Sequence, residues 1–578
     1  MNMENIEYMR YNDDLNLNFK SRRSVVYGTH CIVSSSQPLA CQAGLEILRK
    51  GGNAADAAVA TAVALNVTEP CSCGIGGDCF VLYYNNETKK ISSLNGSGRC
   101  PKNLTLEKLR QMGITEKNIP FNNLNSVTVP GAVDAFIQTI KLFGSGNLSL
   151  NEIFTPAIRL AEDGYPVSEI TACSWASSEN VLKQASDNGY DMLKNGRAPK
   201  AGQIMKMPIL ANTLREIANK GRDGFYKGRI AESIVELIKS KGGLMTLEDL
   251  SEHESTIVEP ISISYCLNDK KPIRIWECPP NGQGIVALMA IGILEHIQKQ
   301  KKIPSLENFE HNSAEYLHAL IESLRLAFSD GSYFISDPNI EHVPIQQLLS
   351  SDYLSKRAEN FHQNSVNKQI KHGKPVNSSD TVYFAVTDSQ GNACSFIFSN
   401  YTGFGTGAIP NNCGFTLQNR GCNFILEENH PNCIKGGKRP YHTIIPSMIT
   451  YDNGDLLACY GVMGGFMQPQ GHLQVLMNML HFNMNVQAAL DAPRFCIGPH
   501  VPNGIDEHVE SEVFLEDGIS EEVLEKLKSF GHHVKLVKGV DRSIFGRGQI
   551  IVKVPNDDNR LVWAAGSDPR SDGFSIGY

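Results

Sequence analysis

Two runs of β-branched and aromatic residues stand out in the second half of the chain. Residues 381–388 and 393–399 are rich in Val, Phe and Ile, and four residues, Ser-Gln-Gly-Asn, separate them. Such runs joined by a short turn predict a β-hairpin. The polar, basic segment 364–380 ahead of them predicts an exposed loop. The pattern therefore places Thr381 where a loop meets a buried hairpin.

Apolar positions with a helical period are most frequent before this hairpin. They predict helices over residues 40–49, 54–65, 132–143, 150–163, 210–220, 230–241, 285–300, 313–328 and, after the hairpin, 468–481. Strands are predicted over 32–35, 79–84, 90–94, 261–265, 273–276, 549–553 and 561–565, with a second hairpin in 446–460. Helices mostly before Thr381 and strands mostly after it indicate the α+β class.

The composition is that of a soluble globular protein, with 578 residues and 41% hydrophobic positions. A net charge of -8 argues against nucleic acid as a partner. Residues 1–22 are expected to form a loose arm. The start of this segment is polar and acidic, and it lacks the apolar core of a secretory signal. The longest apolar stretch, 54–65, is too short to span a bilayer and contains Asp56. We therefore expect a cytoplasmic protein without a membrane partner.

The cysteines and glycine motifs do not point to a cofactor. The 15 cysteines lack framework spacing, and Cys71-Ser-Cys73 is not a usual zinc pair, so free thiols in a reducing compartment are expected. The run Gly74-Ile-Gly-Gly lacks the spacing of a phosphate-binding loop. We expect neither a metal nor another cofactor.

A Thr at a strand start is by itself most often a matter of β-propensity. It gains chemical meaning if the chain is cut before Thr381, because the hydroxyl then lies beside a free α-amino group. An α-amine has a pKa of ~7.7–8, against ~10.4 for Lys, so a useful fraction is free to accept the hydroxyl proton near neutral pH.

Several motifs in the right order resemble the γ-glutamyltransferases (glutathione hydrolases), and within them a leaderless, γ-glutamyltransferase-like or acylase-like branch. This family consists of N-terminal-nucleophile hydrolases that cut themselves in two. The similarity covers nearly the whole chain. The matching motifs are Ser36-Gln-Pro-Leu-Ala, Lys50-Gly-Gly-Asn-Ala-Ala-Asp-Ala-Ala-Val-Ala, Glu69-Pro, Gly74-Ile-Gly-Gly, Thr381-Val-Tyr-Phe-Ala-Val-Thr-Asp-Ser-Gln-Gly-Asn-Ala, Phe404-Gly-Thr-Gly, Gly461-Val-Met-Gly-Gly, Asp491-Ala-Pro-Arg and Gly566-Ser-Asp-Pro-Arg-Ser.

The resemblance implies a four-layer αββα sandwich and self-cleavage at the Asp380–Thr381 bond. Residues 1–380 then form a helix-rich large-subunit part and residues 381–578 a strand-rich small-subunit part. The two parts of the same precursor remain together as one structural unit.

The resemblance also implies catalytic roles. Thr381 is the expected nucleophile, although Val382-Tyr383 follows it where the family usually has Thr-His. Ser399 falls where the family has a second Thr that hydrogen-bonds the nucleophile, and a Ser keeps the hydroxyl. Gly464 and Gly465 are the expected oxyanion donors, since adjacent amides before a helix suit a developing negative charge. A bare Gly-Gly is otherwise most often a turn.

The expected substrate-binding positions depart from the family pattern. Asn423 stands where the family has an acid for a substrate ammonium, and Arg420 replaces a neutral amide, so charge alone makes an ammonium less welcome. Tyr401 stands where the family often has Asn. The remaining expected contacts are His442 and Thr443, in place of paired serines, and Arg99, two residues from the family's carboxylate-binding Arg. His442 is an acid/base candidate, but a lone His is more often structural.

Three functions remain open. The first is a self-processing enzyme that cleaves γ-glutamyl amides such as glutathione through an acyl-Thr ester, with transfer to water or an acceptor amine. The second is an acylase for glutaryl-like groups, favoured by Asn423 and Arg420. The third is a non-catalytic family member that acts as a binding protein, favoured by Val382-Tyr383.

We expect the purified protein to consist of two associated chains of 380 and 198 residues (578 − 380 = 198). Intact mass and N-terminal sequencing check this, and the second chain should begin Thr-Val-Tyr-Phe. A single full-length band on a denaturing gel after long incubation would instead support the non-catalytic alternative, because an uncut Thr has no free amine.

Overall fold

The computed structural model describes residues 23–266, 272–368, 370, 380–498, 512–555 and 560–578. The predicted arm at residues 1–22 lies outside the described residues. The same holds for positions 369 and 371–379 of the loop predicted ahead of Thr381.

Seventeen α-helices form in the described part, most of them on the apolar period seen in the sequence. They are α1 (Pro38–Arg49), α2 (Ala54–Thr68), α3 (Leu106–Gln111), α4 (Ala132–Phe143), α5 (Leu150–Asp163), α6 (Glu169–Ala185), α7 (Pro208–Lys220), α8 (Arg222–Tyr226), α9 (Arg229–Ser240), α10 (Leu247–Ser251), α11 (Gly284–Lys299), α12 (Ala314–Phe334), α13 (Ile345–Leu348), α14 (Ser351–Ala358), α15 (Met467–His481), α16 (Val486–Asp491) and α17 (Glu521–Ser529).

Nineteen strands alternate with these helices in the same described part. They are β1 (Val26–Gly28), β2 (Ile32–Ser35), β3 (Asp78–Asn85), β4 (Lys90–Gly96), β5 (Tyr165–Pro166), β6 (Ile204–Met205), β7 (Thr256–Val258), β8 (Ile261–Tyr265), β9 (Ile273–Glu277), β10 (Asp380–Thr387), β11 (Ala393–Tyr401), β12 (Ser447–Tyr451), β13 (Leu456–Met463), β14 (Phe495–Gly498), β15 (Glu512–Glu516), β16 (His533–Val537), β17 (Arg547–Lys553), β18 (Trp563–Ser567) and β19 (Phe574–Gly577).

Two seven-stranded antiparallel sheets form the centre of the fold. The first has the order β1-β18-β17-β13-β12-β9-β8, and the second has the order β19-β2-β10-β11-β3-β4-β7. The two sheets pack face to face, with β10 of the second sheet against β13 and β17 of the first. A three-stranded sheet, β14-β15-β16, and a two-stranded sheet, β5-β6, are smaller additions.

Helices cover the outer face of each large sheet. Helices α2 and α4 lie on the second sheet, against β10, β11, β3 and β4, while α11 and α15 lie on the first, against β8, β9 and β13. Separate apolar cores fill the two helix–sheet interfaces. The layers are therefore helix, sheet, sheet and helix, which confirms the expected αββα sandwich.

Helix α2 is fully buried, and its small side chains make this possible. Every residue from Ala54 to Thr68 is buried, and most are Ala or Val, which let neighbouring elements approach closely. Its start is fixed by a capping box, in which the Asn53 side chain accepts from the Asp56 N–H and the Asp56 carboxylate accepts from the Asn53 N–H.

The predicted central hairpin forms as β10 and β11, and it lies in the middle of the second sheet. Its inward face packs on the other sheet, where Gly461 of β13 makes room for the Tyr383 ring. A Cβ at Gly461 would lie 2.6 Å from that ring. The small residue thus allows the two sheets to close over an aromatic side chain of β10, the strand that contains Thr381.

In the described ranges the expectation that strands lie mostly after Thr381 holds for strand residues, with 60 in β10–β19 against 39 in β1–β9, but not for the number of strands. In the described ranges nine strands precede Asp380 and ten follow from it. Strands β2, β3, β4 and β7 share a sheet with β10, so both parts of the chain build the same sheet. Helix α6 was not predicted, and α12 ends at Phe334 rather than at residue 328. The division at Thr381 into two subunit parts remains a prediction.

In the part that the structure describes, no helix combines the length and apolarity needed to cross a bilayer. All 15 cysteines lie in this part as free thiols, and 13 of them are buried.

A buried charge network ties the C-terminal strands together. Glu516 accepts from Arg542 Nε at 2.7 Å and from Arg570 Nε at 2.7 Å. Asp568 accepts from Arg494 Nη2 at 2.7 Å and from Arg570 Nη1 at 3.1 Å. Glu516, Asp568, Arg494 and Arg570 are almost fully buried, so each charge depends on its partners for solvation.

We expect Glu516→Gln to destabilise the protein by about 3–5 kcal/mol, because removing one member of a buried network leaves the other charges uncompensated. The midpoint of thermal unfolding measures the effect. Glu525→Gln is the control, since its ion pair with Lys528 is exposed and its loss should cost at most about 1 kcal/mol. Equal midpoints for the two variants would contradict the assigned role of Glu516.

Candidate active site

Thr381 lies at an irregularity of the central ladder. Asp380 pairs with Tyr401 and Val382 pairs with Phe398, so the single residue Thr381 of β10 lies opposite two residues of β11, Ser399 and Asn400, as in a β-bulge. Bulges re-aim side chains next to functional sites. The Thr381 side chain is fully buried in this continuous chain, and its hydroxyl donates to Ser399 Oγ at 3.1 Å.

The Ser399 hydroxyl is a meeting point for three donors. Besides Thr381, the Tyr401 N–H donates to Ser399 Oγ at 2.8 Å and Arg420 Nη2 donates at 3.3 Å. Ser399 lies on β11 between the nucleophile strand and β3, where it is paired with Asp78. Three adjacent strands therefore bring Thr381, Ser399 and Asp78 together.

The Arg420 guanidinium is fully buried at the centre of this group. Nη1 donates to Thr443 Oγ1 at 2.6 Å, and Nε lies 4.0 Å from a carboxylate oxygen of Asp78. The guanidinium carbon lies 4.3 Å from the centroid of the Tyr401 ring, a cation–π contact. Burial lowers the pKa of Arg420 to about 10, which leaves it charged at neutral pH.

Gln283 connects this cluster to the predicted oxyanion donors. Its side-chain amide donates to the carbonyl of Thr443 at 2.6 Å and to the carbonyl of Gly465 at 2.8 Å. Its amide oxygen accepts from the Tyr441 hydroxyl at 3.0 Å. The hydroxyl cluster and the Gly-Gly turn are therefore held by the same side chain.

Gly464 and Gly465 form the turn between β13 and α15. Both have positive φ, 125° and 60°, which favours glycine over other residues. Their carbonyls accept the N–H groups of Met467 and Gln468, at 3.0 and 3.1 Å, and so open the helix. A Cβ at Gly464 would lie 3.1 Å from Gly546, so neither conformation nor space admits a larger residue there without strain.

His442 is a neutral, fully buried imidazole. Nδ1 accepts from the Ile444 N–H at 3.4 Å, so Nε2 carries the proton and donates to Asp78 at 2.9 Å. Burial and the charge of Arg420 lower the pKa of His442 to about 4. Both ring nitrogens are engaged with the protein, which fits a positioning group better than an acid/base.

Tyr401 and Asn423 differ in how their polar atoms are used. Tyr401 has a positive φ of 79°, and its buried hydroxyl has no hydrogen-bond partner among the described residues. The Asn423 amide donates to the Tyr441 carbonyl at 3.1 Å. Asn423 therefore keeps the position of the expected acid without offering a charge.

Arg99 does not join the hydroxyl cluster. Its Nη1 donates to the carbonyl of Glu254 at 3.3 Å, and it borders another cleft with His253 and Lys102. The expectation that Arg99 binds substrate beside Thr381 is therefore not supported by its contacts, because its guanidinium donates to Glu254 and to no member of the Thr381 cluster.

One group in the described ranges has the composition of a metal site, namely His318, Glu322 and His532. Its ligand atoms already have protein partners. His318 Nδ1 and His532 Nε2 lie 2.7 Å apart in a hydrogen bond, and the Glu322 carboxylate pairs with Arg325 and accepts the Asn367 N–H. This group is remote in the chain and in contacts from Thr381.

A profile of the Gamma-glutamyltranspeptidase family matches residues 40–578. The chain belongs to the gamma-glutamyltranspeptidase family. It is therefore an enzyme of the γ-glutamyltransferase and glutathione hydrolase type with the N-terminal-nucleophile fold, as the sequence motifs implied.

Relatives within this family carry two kinds of name. The Glutathione hydrolase-like YwrD proenzyme of Bacillus subtilis (strain 168) is 35% identical, over 96% of this chain and 99% of its own. The Glutathione hydrolase proenzyme of Escherichia coli (strain K12) is 30% identical, over 95% and 92%. The solved structure of cephalosporin acylase from Bacillus halodurans is 40% identical, covers 99% of both chains and superposes with a TM-score of 0.86.

Asp78 and Gln283 belong to the site of this family member and were not predicted. Asp78 follows the quoted motif Gly74-Ile-Gly-Gly and begins an apolar strand, so a carboxylate at that strand start was an available signal. Gln283 precedes α11 and carries no comparable signal, because its role depends on two carbonyls from distant segments.

We expect Ser399→Ala to slow both self-cleavage and amide hydrolysis by about 10- to 100-fold, because the Thr381 hydroxyl loses its partner and two N–H donors lose theirs. Time courses on denaturing gels and a chromogenic assay measure the two rates. Ser399→Thr keeps the hydroxyl and should restore most of the activity. If Ser399→Ala and Ser399→Thr behave alike, the hydroxyl has no part in orienting Thr381.

Proposed function

We propose that Thr381 becomes the N-terminal nucleophile after cleavage of the Asp380–Thr381 bond. The enzyme then cleaves amides of γ-glutamyl or closely related acyl groups, such as those of glutathione, and transfers the acyl group to water or an acceptor amine. One observation carries this proposal, namely the hydrogen bond from the Thr381 hydroxyl into a buried cluster of Ser399, Arg420 and Thr443.

Self-cleavage begins in the continuous chain. The Thr381 hydroxyl attacks the carbonyl carbon of Asp380, the C–N bond breaks, and the acyl group moves from nitrogen to oxygen. The resulting ester is hydrolysed by water, which releases the carboxylate of Asp380 and the free amine of Thr381. In our proposal the chains 1–380 and 381–578 stay associated, since strands from both build the two large sheets.

The freed amine then serves as the base in each catalytic cycle. It accepts the proton of the Thr381 hydroxyl while the oxygen attacks the substrate carbonyl, and the N–H groups of Gly464 and Gly465 stabilise the oxyanion. The protonated amine gives its proton to the leaving amine. Water or an acceptor amine attacks the ester, again with the α-amine as base, and restores Thr381.

The cluster also offers a site for the carboxylate at the far end of the acyl group. Arg420 is a charged donor and Thr443 a neutral one, and both lie within hydrogen-bonding distance of each other. Guanidinium groups bind carboxylates with two parallel hydrogen bonds. A γ-glutamyl and a glutaryl group both carry such a carboxylate.

A second candidate is an acylase with a preference for glutaryl-like groups. Asn423 provides no charge for the α-ammonium of a γ-glutamyl group, and the Arg420 charge repels it. The Asp78 carboxylate is occupied by His442 and the Gly98 N–H. The similarity to the cephalosporin acylase of Bacillus halodurans supports the same candidate.

We expect the cut enzyme to release p-nitroaniline from both γ-glutamyl and glutaryl p-nitroanilide, with a kcat/KM for the glutaryl compound at least as high. Arg420→Gln should lower the glutaryl kcat/KM about tenfold or more relative to the γ-glutamyl value, because it removes the carboxylate's charged donor and the ammonium's repulsion together. Initial rates at several substrate concentrations measure this ratio.

The control for this comparison is Arg215→Gln, because Arg215 forms an ion pair with Glu162 on the surface and should leave the ratio unchanged. Faster release from γ-glutamyl than from glutaryl anilide would rule out the second candidate. Release of neither, by a protein shown to be cut at Thr381, would rule out the first as well.

A further inference from the structure

A second cleft is lined by Arg99 and His253 and by no residue of the Thr381 cluster. It has a volume of about 340 Å³ and is formed by the segment after β4, by the segment between α10 and β7, and by single residues of two loops. Its lining residues are Arg99, Cys100, Lys102, Val129, Asp249, Glu252, His253, Glu254, Thr256 and Gly437.

His253 is the unusual member of this lining. The residue is only 3% exposed, yet neither ring nitrogen has a hydrogen-bond partner among the described residues. Its ring stacks on Tyr226, with 5.6 Å between the ring centroids. Burial, and after it the charges of Arg439, Arg99 and Arg222, lowers the pKa of His253 well below its usual value. A neutral imidazole offers one donor and one acceptor, and leaving both unpaired in a buried place is costly.

Two guanidinium groups lie beside this ring without a carboxylate partner. Arg99 Nη1 and Arg439 Nη2 each donate to the carbonyl of Glu254 at 3.3 Å, so the two groups are close together. Arg439 is buried and otherwise donates to backbone carbonyls and to the Thr256 hydroxyl. Within the described ranges, neither guanidinium forms an ion pair with a carboxylate. Burial and the charge of Arg99 lower the pKa of Arg439 to about 9, whereas the charges of Asp337 and Asp78 raise it.

The acidic side chains of the cleft are already engaged or exposed. Lys102 forms ion pairs with Glu252 and with Glu248, the latter at 3.5 Å. Asp249 accepts from the Lys102 N–H at 2.9 Å and caps α10 through Thr246. Glu252 therefore balances Lys102, Asp249 is used by backbone N–H groups, and the third acid of the lining, Glu254, is exposed.

We propose that this cleft is a separate binding site for a small organic carboxylate, which accepts hydrogen bonds from Arg99 and from the His253 ring. A carboxylate would balance two guanidinium charges and provide the acceptor that the imidazole N–H lacks. The proposal does not rest on the proposed acyl transfer, although Arg439 lies close enough to Asp78 and His442 for their charges to interact.

The test uses the purified full protein with histidine rings labelled for NMR and succinate as the probe. We expect succinate, added to about 10 mM for a Kd of about 1 mM or lower, to shift one ring resonance that His253→Gln removes. Arg99→Gln should weaken this binding about tenfold or more, through loss of a charge-assisted hydrogen bond. Arg159→Gln, an exposed ion-pair residue elsewhere, should bind as the wild type does.

Two further variants separate this cleft from the active site. Thr381→Ala should bind succinate as the wild type does, and so should Thr443→Val, which removes a donor of the Thr381 cluster. Binding that is lost in Thr443→Val and kept in Arg99→Gln would overturn the proposal, as would the absence of any ring shift in the wild type. Inorganic phosphate in place of succinate, giving the same His253 shift at lower concentration, would overturn the carboxylate assignment.

Discussion

The candidate site depends on the hydrogen bonds and charge interactions of one fully buried guanidinium group, that of Arg420. Burial removes the water that would solvate Arg420. Its contacts with the hydroxyls of Thr443 and Ser399, the face of Tyr401 and the nearby Asp78 carboxylate replace that water only in part. Because a buried charge is costly to leave unpaired, these groups hold one another in place. The Thr381 hydroxyl is connected to this cation by two hydrogen bonds that meet at Ser399 Oγ.

The sheet determines where these groups lie. Thr381, Ser399 and Asp78 come from three neighbouring strands, and the register of β11 with β3 sets Ser399 directly opposite Asp78. The register shift between Asp380 and Val382 sets Thr381 opposite two residues of β11, one of which is Ser399. The same strand order joins both sides of the proposed cut, so backbone hydrogen bonds hold the two parts together without a covalent link.

The neutral state of the buried histidines follows from the same cationic surroundings. His442 beside Arg420, and His253 beside Arg439 and Arg99, have lowered pKa values because burial and nearby guanidinium groups disfavour a second positive charge. For His442 the ionised form is thus favoured in the unfolded chain, so its contribution to stability is present above a pH of about 6.5 and is lost as the pH falls towards about 4. The surroundings of His442 and His253 therefore differ from the two apolar cores, because they contain buried guanidinium groups.

Local patterns in the sequence were enough for the elements and the chemistry of single residues. The helical period of residues 132–143 and 150–163 matches α4 and α5, and the hairpin with Thr381 at its start forms as expected. Motif order was enough for the family. The strand distribution, the place of Arg99, and the parts played by Asp78 and Gln283 were decided only by the tertiary structure. These depend on contacts between residues hundreds of positions apart, such as Asp78 with His442, and a local pattern contains no information about which distant groups a sheet brings within hydrogen-bonding distance.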